Sequence, residues 1–126
     1  MLTRQQRALV RGKYGGRCAY CGRILPEKGW QADHRVSLYR QDIPRYRDVS
    51  GVDDYEPSCR RCNGWKSTYS VEEFREEISA QIARLRAASA GFRLAEDFGT
   101  VQATGTRVRF YFETVYARPA GEEPAT

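Results

Sequence analysis

Four cysteines set as two Cys-x-x-Cys pairs, Cys18-Ala19-Tyr20-Cys21 and Cys59-Arg60-Arg61-Cys62, constrain this chain more than any other feature. Two thiolates three positions apart can share one metal ion only where the chain turns tightly, and Gly22, directly after the first pair, eases such a turn. One pair alone reads equally well as a redox dithiol or as chance. The second pair completes a tetrahedral thiolate set and leaves no cysteine over. A structural zinc on Cys18, Cys21, Cys59 and Cys62 is therefore the expected arrangement. The 37 residues between Cys21 and Cys59 exceed zinc-ribbon spacing, so a substantial element is inserted between the two halves of the site.

Charge singles out the same half of the chain. Before Val71 there are 14 Lys/Arg and 7 Asp/Glu, a net of +7; from Val71 onward there are 7 and 9, a net of −2. A basic half that also holds the cysteines and the single histidine points to a polyanionic partner, because Lys and Arg release counterions when they neutralise phosphates. No apolar run approaches the ~20 residues of a membrane span. Met1–Arg7 lacks the apolar core of a secretory signal, so an intracellular, cytoplasmic setting is expected, where paired cysteines bind metals more often than they form disulfides.

In chain order, Thr3-Arg4-Gln5-Gln6 has the form of a capping box and predicts a short basic helix from about Arg4 to Lys13, stopped by Gly15-Gly16. Arg4, Arg7 and Arg11 would share a face, either solvated or in contact with phosphates. Trp30–Val36 has modest strand character. The polar stretch 37–51 sets Arg40, Arg45 and Arg47 among Tyr39 and Tyr46, a mixture that suits a loop along a nucleic-acid backbone as well as a plain surface loop. A helix is expected from Cys59 or Arg60 through Lys66, with Asn63 and Lys66 on one face. Ser70-Val71-Glu72-Glu73, a second capping box, opens a predicted long helix over 71–88. Its apolar stripe of Val71, Phe74, Ile78, Ile82 and Leu85 suits a core or a homodimer seam. Gly91 is the expected stop. Alternation of Val108, Phe110 and Phe112 with Arg109, Tyr111 and Glu113 predicts a strand, with a shorter one near 100–103 pairing to it. The implied organisation is a core over 1–70, a helix-strand extension over 71–116 and a disordered tail over 117–126.

The histidine carries the chemistry. With the cysteines committed to zinc, His34 has no partner for a second histidine-based metal site and is free for proton transfer. Phosphodiester hydrolysis needs an activated water, relief of charge on phosphorus and stabilisation of the departing oxygen. A histidine supplies the first, at roughly 10²- to 10⁴-fold in rate. A divalent cation held by the oxygens of Asp33 and Asn63, hard ligands that suit Mg²⁺ or Mn²⁺, supplies the others. Lys66, Arg35, Arg60 and Arg61 can balance phosphate charge. One constraint stands against this reading: neighbouring side chains of a strand point to opposite faces, so Asp33 and His34 meet one substrate only if the strand is twisted or bulged.

The order Cys-x-x-Cys, Asp33-His34, then Pro57-Ser58-Cys59-Arg60-Arg61-Cys62-Asn63-Gly64-Trp65-Lys66 resembles the HNH (His-Asn-His) endonucleases in their zinc-stapled form, over about Arg11 to Ser70. The resemblance implies a small α+β fold with a ββα-metal core, here followed by a C-terminal long helix and strand. It implies that Asp33 binds the catalytic cation, that His34 is the general base, that Asn63 is a second metal ligand and that Lys66 matches a trailing lysine. DNA is the implied partner. The departure is in the middle: the family's central asparagine falls on Asp54, which keeps an acceptor and loses the amide donor. A non-catalytic, zinc-stapled nucleic-acid-binding module is the alternative. Asp33 before His34 and Asn63 after the last cysteine favour the enzyme, and Asp54 favours the module.

Overall fold

The structure, a computed structural model, describes residues 2–35 and 51–116. It is a small α+β arrangement that divides into two compact units: Met1–Val71 with Arg109–Thr126, and Glu72–Val108. Among the described residues, no helix is long and apolar enough to cross a membrane.

The first unit opens with α1 (Arg4–Arg11), capped as its sequence predicts. Thr3 Oγ1 accepts from the Gln6 amide at 3.1 Å, and Gln6 Oε1 accepts from the Thr3 amide at 2.9 Å. The helix tightens into a 3₁₀ turn (Gly12–Tyr14) and ends at Gly15, where φ of +66° suits glycine. Two of the predicted arginine face are used internally. Arg7 stacks over the Trp30 ring at 4.1 Å and donates to the Trp30 carbonyl, while Arg11 donates to the Leu25 carbonyl at 2.9 Å. They tether the segment leading into the sheet.

That sheet is β1 (Gln31–His34) and β2 (Tyr55–Ser58), antiparallel, with Gln31 opposite Ser58, Asp33 opposite Glu56 and His34 opposite Tyr55. A 3₁₀ turn (Val52–Asp54) leads into β2. Arg40, Arg45 and Arg47 lie outside the described residues, as does the 117–126 tail. Directly after β2 comes α2 (Arg60–Lys66), whose N-cap is Cys59, its sulfur accepting from the Cys62 amide at 3.4 Å. Helical spacing turns Cys62 and Lys66 inward and leaves Arg60, Arg61, Gly64 and Trp65 exposed.

The chain returns to this unit near Arg109, and here the structure departs from the predicted strand. Tyr111–Tyr116 is a helix, α6 in chain order. Glu113 Oε1 accepts from the Phe110 amide, three residues earlier, at 2.9 Å, as the acid of a capping box does. The alternation that suggested a strand is satisfied differently: Phe110 and Phe112 stack on each other with centroids 5.9 Å apart, and both meet the Tyr20 ring edge-on. No strand forms near 100–103 either.

The second unit holds three helices rather than one long helix with a strand: α3 (Val71–Ser79), α4 (Gln81–Ala88) and α5 (Ala90–Asp97). The predicted 71–88 helix is divided at Ala80, although Ala80 is itself helical in its dihedrals and its N–H still bonds the Glu76 carbonyl; beside it the Ser79 hydroxyl and the Gln81 side-chain Nε2 donate to the Arg75 and Glu77 carbonyls. Gly91 does not stop a helix; it lies inside α5, which begins because Ser89 Oγ accepts from the Phe92 amide. A two-point contact of Arg86 with Glu96 joins α4 to α5, and Arg75 joins Glu72 to the Val108 carbonyl.

Candidate functional site

The four cysteines, far apart in sequence, converge. All four sulfurs lie within 4.8 Å of one another, and Cys21 and Cys59 are 3.8 Å apart, far beyond a disulfide bond. Four sulfurs around zinc at ~2.3 Å would sit about 3.8 Å apart, the edge of that tetrahedron. The cluster can hold a metal ion such as zinc.

The backbone explains the convergence. A bridge between Arg17 and Ile24 folds the first pair into a tight hairpin, with Cys18 and Arg23 hydrogen-bonded and Gly22 in the left-handed region at φ +76°. The Ala19 amide donates to the Pro57 carbonyl, fastening this knuckle beside β2, and the Cys59 amide donates to Cys18 sulfur at 3.3 Å. On the other side, the amides of Tyr111 and Phe112 donate to the carbonyls of Tyr20 and Ala19. Cys18, Cys59 and Cys62 are buried and Cys21 is exposed, with the Arg61 guanidinium against its sulfur. The Cys18 thiol is pushed down to about 4, chiefly because its sulfur accepts from Cys62, and Cys62 is pushed up by the same bond and by burial. The close-packed sulfurs thus hinder one another's ionisation, a repulsion that a bound divalent ion would relieve.

Next to this cluster stands the pair that ends β1. Asp33 Oδ2 accepts from the Tyr20 hydroxyl at 2.7 Å and lies 3.1 Å from Lys66 Nζ. Lys66, fully buried, also donates to the His34 carbonyl at 3.1 Å, so one ammonium touches both residues of the Asp-His pair. Burial pushes the Asp33 carboxyl above its usual range, against the opposing pull of Lys66 and Tyr20. Both contacts fall on Oδ2; among the described residues, Oδ1 accepts no hydrogen bond.

The His34 side chain takes other partners, as strand alternation requires. Its Nε2 lies 3.6 Å from Asp54 Oδ2, and its ring packs against Tyr55 with centroids 4.3 Å apart. The Asp54 carbonyl accepts from the Arg35 amide at 3.2 Å, which holds the turn against the end of β1. Asp54 thus stands beside the imidazole both through its carboxylate and through the main chain.

Asn63 is one turn before Lys66 on α2, half-buried, and its main chain bonds Cys59 and Ser67. Lys66, rather than Asn63, is the α2 residue that reaches Asp33. Arg35 bonds Glu56 at 2.9 Å and lies over the Phe112 ring at 4.8 Å. Arg60 is exposed.

Two features escaped sequence reasoning. Tyr20, between Cys18 and Cys21, is the donor to Asp33. Glu56, fully buried opposite Asp33, gathers Lys13 Nζ at 3.0 Å and Arg35 on Oε1 and the Tyr14 hydroxyl at 2.6 Å on Oε2. Lys13 Nζ also bonds the carbonyl of Tyr55 at 2.8 Å, so this hub ties the end of α1 to the strand that carries the Asp54 turn. No alternation marks Glu56 in the sequence, because it is followed by Pro57 and Ser58, which are buried too. No family model, curated protein or solved structure matches the chain.

Proposed function

We propose that this chain is a small metal-dependent DNA endonuclease of the HNH type, with β1, β2 and α2 as a ββα-metal core clasped by zinc on the four cysteines. The observation that carries the reading is the juxtaposition at the end of β1. There a half-buried carboxylate whose Oδ1 accepts no hydrogen bond among the described residues, an imidazole beside a second carboxylate, and a lysine touching both residues lie next to the cysteine cluster.

Each residue then has a role. His34 takes a proton from the attacking water; the water oxygen bonds to phosphorus as the bond to the leaving oxygen breaks. Asp54, its Oδ2 3.6 Å from Nε2, stands beside the imidazole and favours one orientation of the ring, the part an aspartate can play where the family pattern has asparagine. Asp33 Oδ1, with Asn63 from α2, would hold Mg²⁺ or Mn²⁺. When bound, that cation supplies Lewis-acid relief of the charge on phosphate and leaving oxygen. Lys66 is buried and engaged, so its part is to fix Asp33 rather than to meet phosphate. Exposed Arg60 and the arginines of 37–51 are left for the DNA backbone.

A second reading has its own observation. The Lys66 ammonium, 3.1 Å from Asp33 Oδ2, already neutralises the carboxylate that a cation would use. That favours a zinc-stapled DNA-binding module without catalysis. Incubating supercoiled plasmid with purified protein and Mg²⁺ or Mn²⁺, beside His34→Ala, separates the two. The endonuclease nicks or linearises in a cation-dependent way and loses that activity in the variant. Equal activity in both refutes the assigned base, and retained DNA binding with no cleavage selects the module.

A further inference from the structure

Tyr20 joins the two halves of the site. Its main chain lies between Cys18 and Cys21, its carbonyl is held by the Tyr111 amide, and its ring is held edge-on by Phe110 and Phe112. It is 2% exposed. From this clamped position its hydroxyl meets Asp33 Oδ2 at 2.7 Å, on the same oxygen as Lys66. A carboxylate tied twice through one oxygen cannot turn freely about its last bond, and its other oxygen has a set direction.

We propose that Tyr20 is a positioning residue, set by the cysteine knuckle, which fixes the Asp33 carboxylate so that Oδ1 is presented to a divalent cation. The inference rests on the assignment of Asp33 as a metal ligand in the proposed endonuclease. Lys66 alone does not give the same result. With the phenol gone, the carboxylate can rotate until the ammonium bridges both oxygens, and the cation then competes with an internal ion pair. The knuckle thereby does more than staple the fold: it sets the geometry of the second metal position through one side chain. Outer-sphere partners of this kind change metal affinity by about 10- to 100-fold.

The test uses the full-length, zinc-loaded protein and Mn²⁺ as the probe, with free Mn²⁺ counted by its paramagnetic resonance signal. Wild type, Tyr20→Phe and Asp33→Asn are titrated side by side. Tyr20→Phe keeps the ring and its aromatic contacts and removes only the hydroxyl. Cobalt-substituted samples report through their thiolate absorption whether the cysteine cluster is unchanged. The expected result is one Mn²⁺ site in wild type, absent in Asp33→Asn, and weakened by about 10- to 100-fold in Tyr20→Phe with unaltered cobalt absorption. Wild-type Mn²⁺ affinity in Tyr20→Phe overturns the role of Tyr20 and leaves Asp33 as a ligand. Binding that is unaffected by Asp33→Asn, or no binding in wild type, overturns the metal assignment itself and this inference with it. Should Tyr20→Phe fail to fold, a fluorotyrosine placed at position 20 keeps the hydroxyl. Its fluorine resonance must broaden as Mn²⁺ fills the Asp33-dependent site, and an unbroadened line overturns the proposal.

Discussion

Glu56→Ala tests the buried hub behind the candidate site, and its cost can be worked from the contacts. Glu56 is fully buried; Arg35, the most exposed of its partners at 41% of its side chain, can return to water at little cost. Lys13 is 18% exposed and keeps the Tyr55 carbonyl, but loses the carboxylate that neutralises it. Tyr14, buried, loses an acceptor at 2.6 Å. Removing one partner of a buried ion pair costs about 3–5 kcal/mol, and a hydrogen bond to a charged group is worth about 1.5–3. With Arg35 discounted, about 4 kcal/mol is expected, a large share of the roughly 5–15 that hold a domain. Glu56→Gln is the graded control. Its amide oxygen still accepts from Lys13 and Arg35, but its NH₂ faces Tyr14, whose hydroxyl must switch from donating to accepting. We expect a loss of about 1–2 kcal/mol, or roughly 4–16 °C in melting temperature. Urea unfolding of the zinc-loaded protein, followed by tryptophan fluorescence, gives both numbers. If both variants stay within about 0.5 kcal/mol of wild type, the hub is not a stabilising element and the argument from burial fails.

Three further outcomes follow from the geometry. Cys59→Ser should lose zinc and much of the cooperative melt, because metal binding free energy is folding free energy in a site assembled from distant segments; unchanged zinc content by atomic absorption contradicts this. Gly22→Ala puts a methyl group 3.0 Å from the Tyr111 ring at a φ of +76°, so a loss of about 1–3 kcal/mol is expected in urea unfolding, of which about 1–2 is backbone strain that stays even if α6 moves aside; no loss refutes it. Lys66→Met should raise the Asp33 pKa above its already raised value, since Lys66 is the largest influence pulling it down. A raised carboxyl pKa means that ionisation needs higher pH, so the carbon-13 titration of Asp33 in protein free of Mg²⁺ and Mn²⁺ must move to higher pH; a midpoint that falls refutes the sign.

What could be read from the sequence was local or rigidly spaced. The Thr3–Gln6 capping box and the two cysteine pairs each carry their geometry within four residues, and both appear as expected. Period-2 alternation over 108–113 misled because it records which residues must be buried, not how the backbone delivers them. Phe110 and Phe112 reach Tyr20 from a helix start, and Glu113 was the overlooked sign of one. The division at Ala80 was hidden because Ser79 and Gln81 are tolerable in a helix, and the backbone bonds from Ala80 to Glu76 and from Arg84 to Ala80 run on through it. Asp33 and His34 stood out in the sequence as neighbours, yet their partners come from three separate segments, at Tyr20, at Asp54 with Tyr55, and at Lys66. No local pattern encodes that convergence. It is produced by the sheet register and by the position of the cysteine knuckle.

The register sets side by side two carboxylates that the fold holds differently. Asp33 and Glu56 are directly opposed across β1 and β2, and like charges in that relation repel unless each has its own cation. The fold supplies Lys66 to one and Lys13 with Arg35 to the other. The provision is unequal. Both oxygens of Glu56 are engaged and the residue is sealed from solvent, whereas Asp33 is held through one oxygen and is 11% exposed through its side chain. A carboxylate satisfied on both oxygens can only stabilise. One that is oriented, buried enough to lie above its usual pKa and still short of a partner can take a ligand, and it stands where the phenol of the cysteine knuckle directs it.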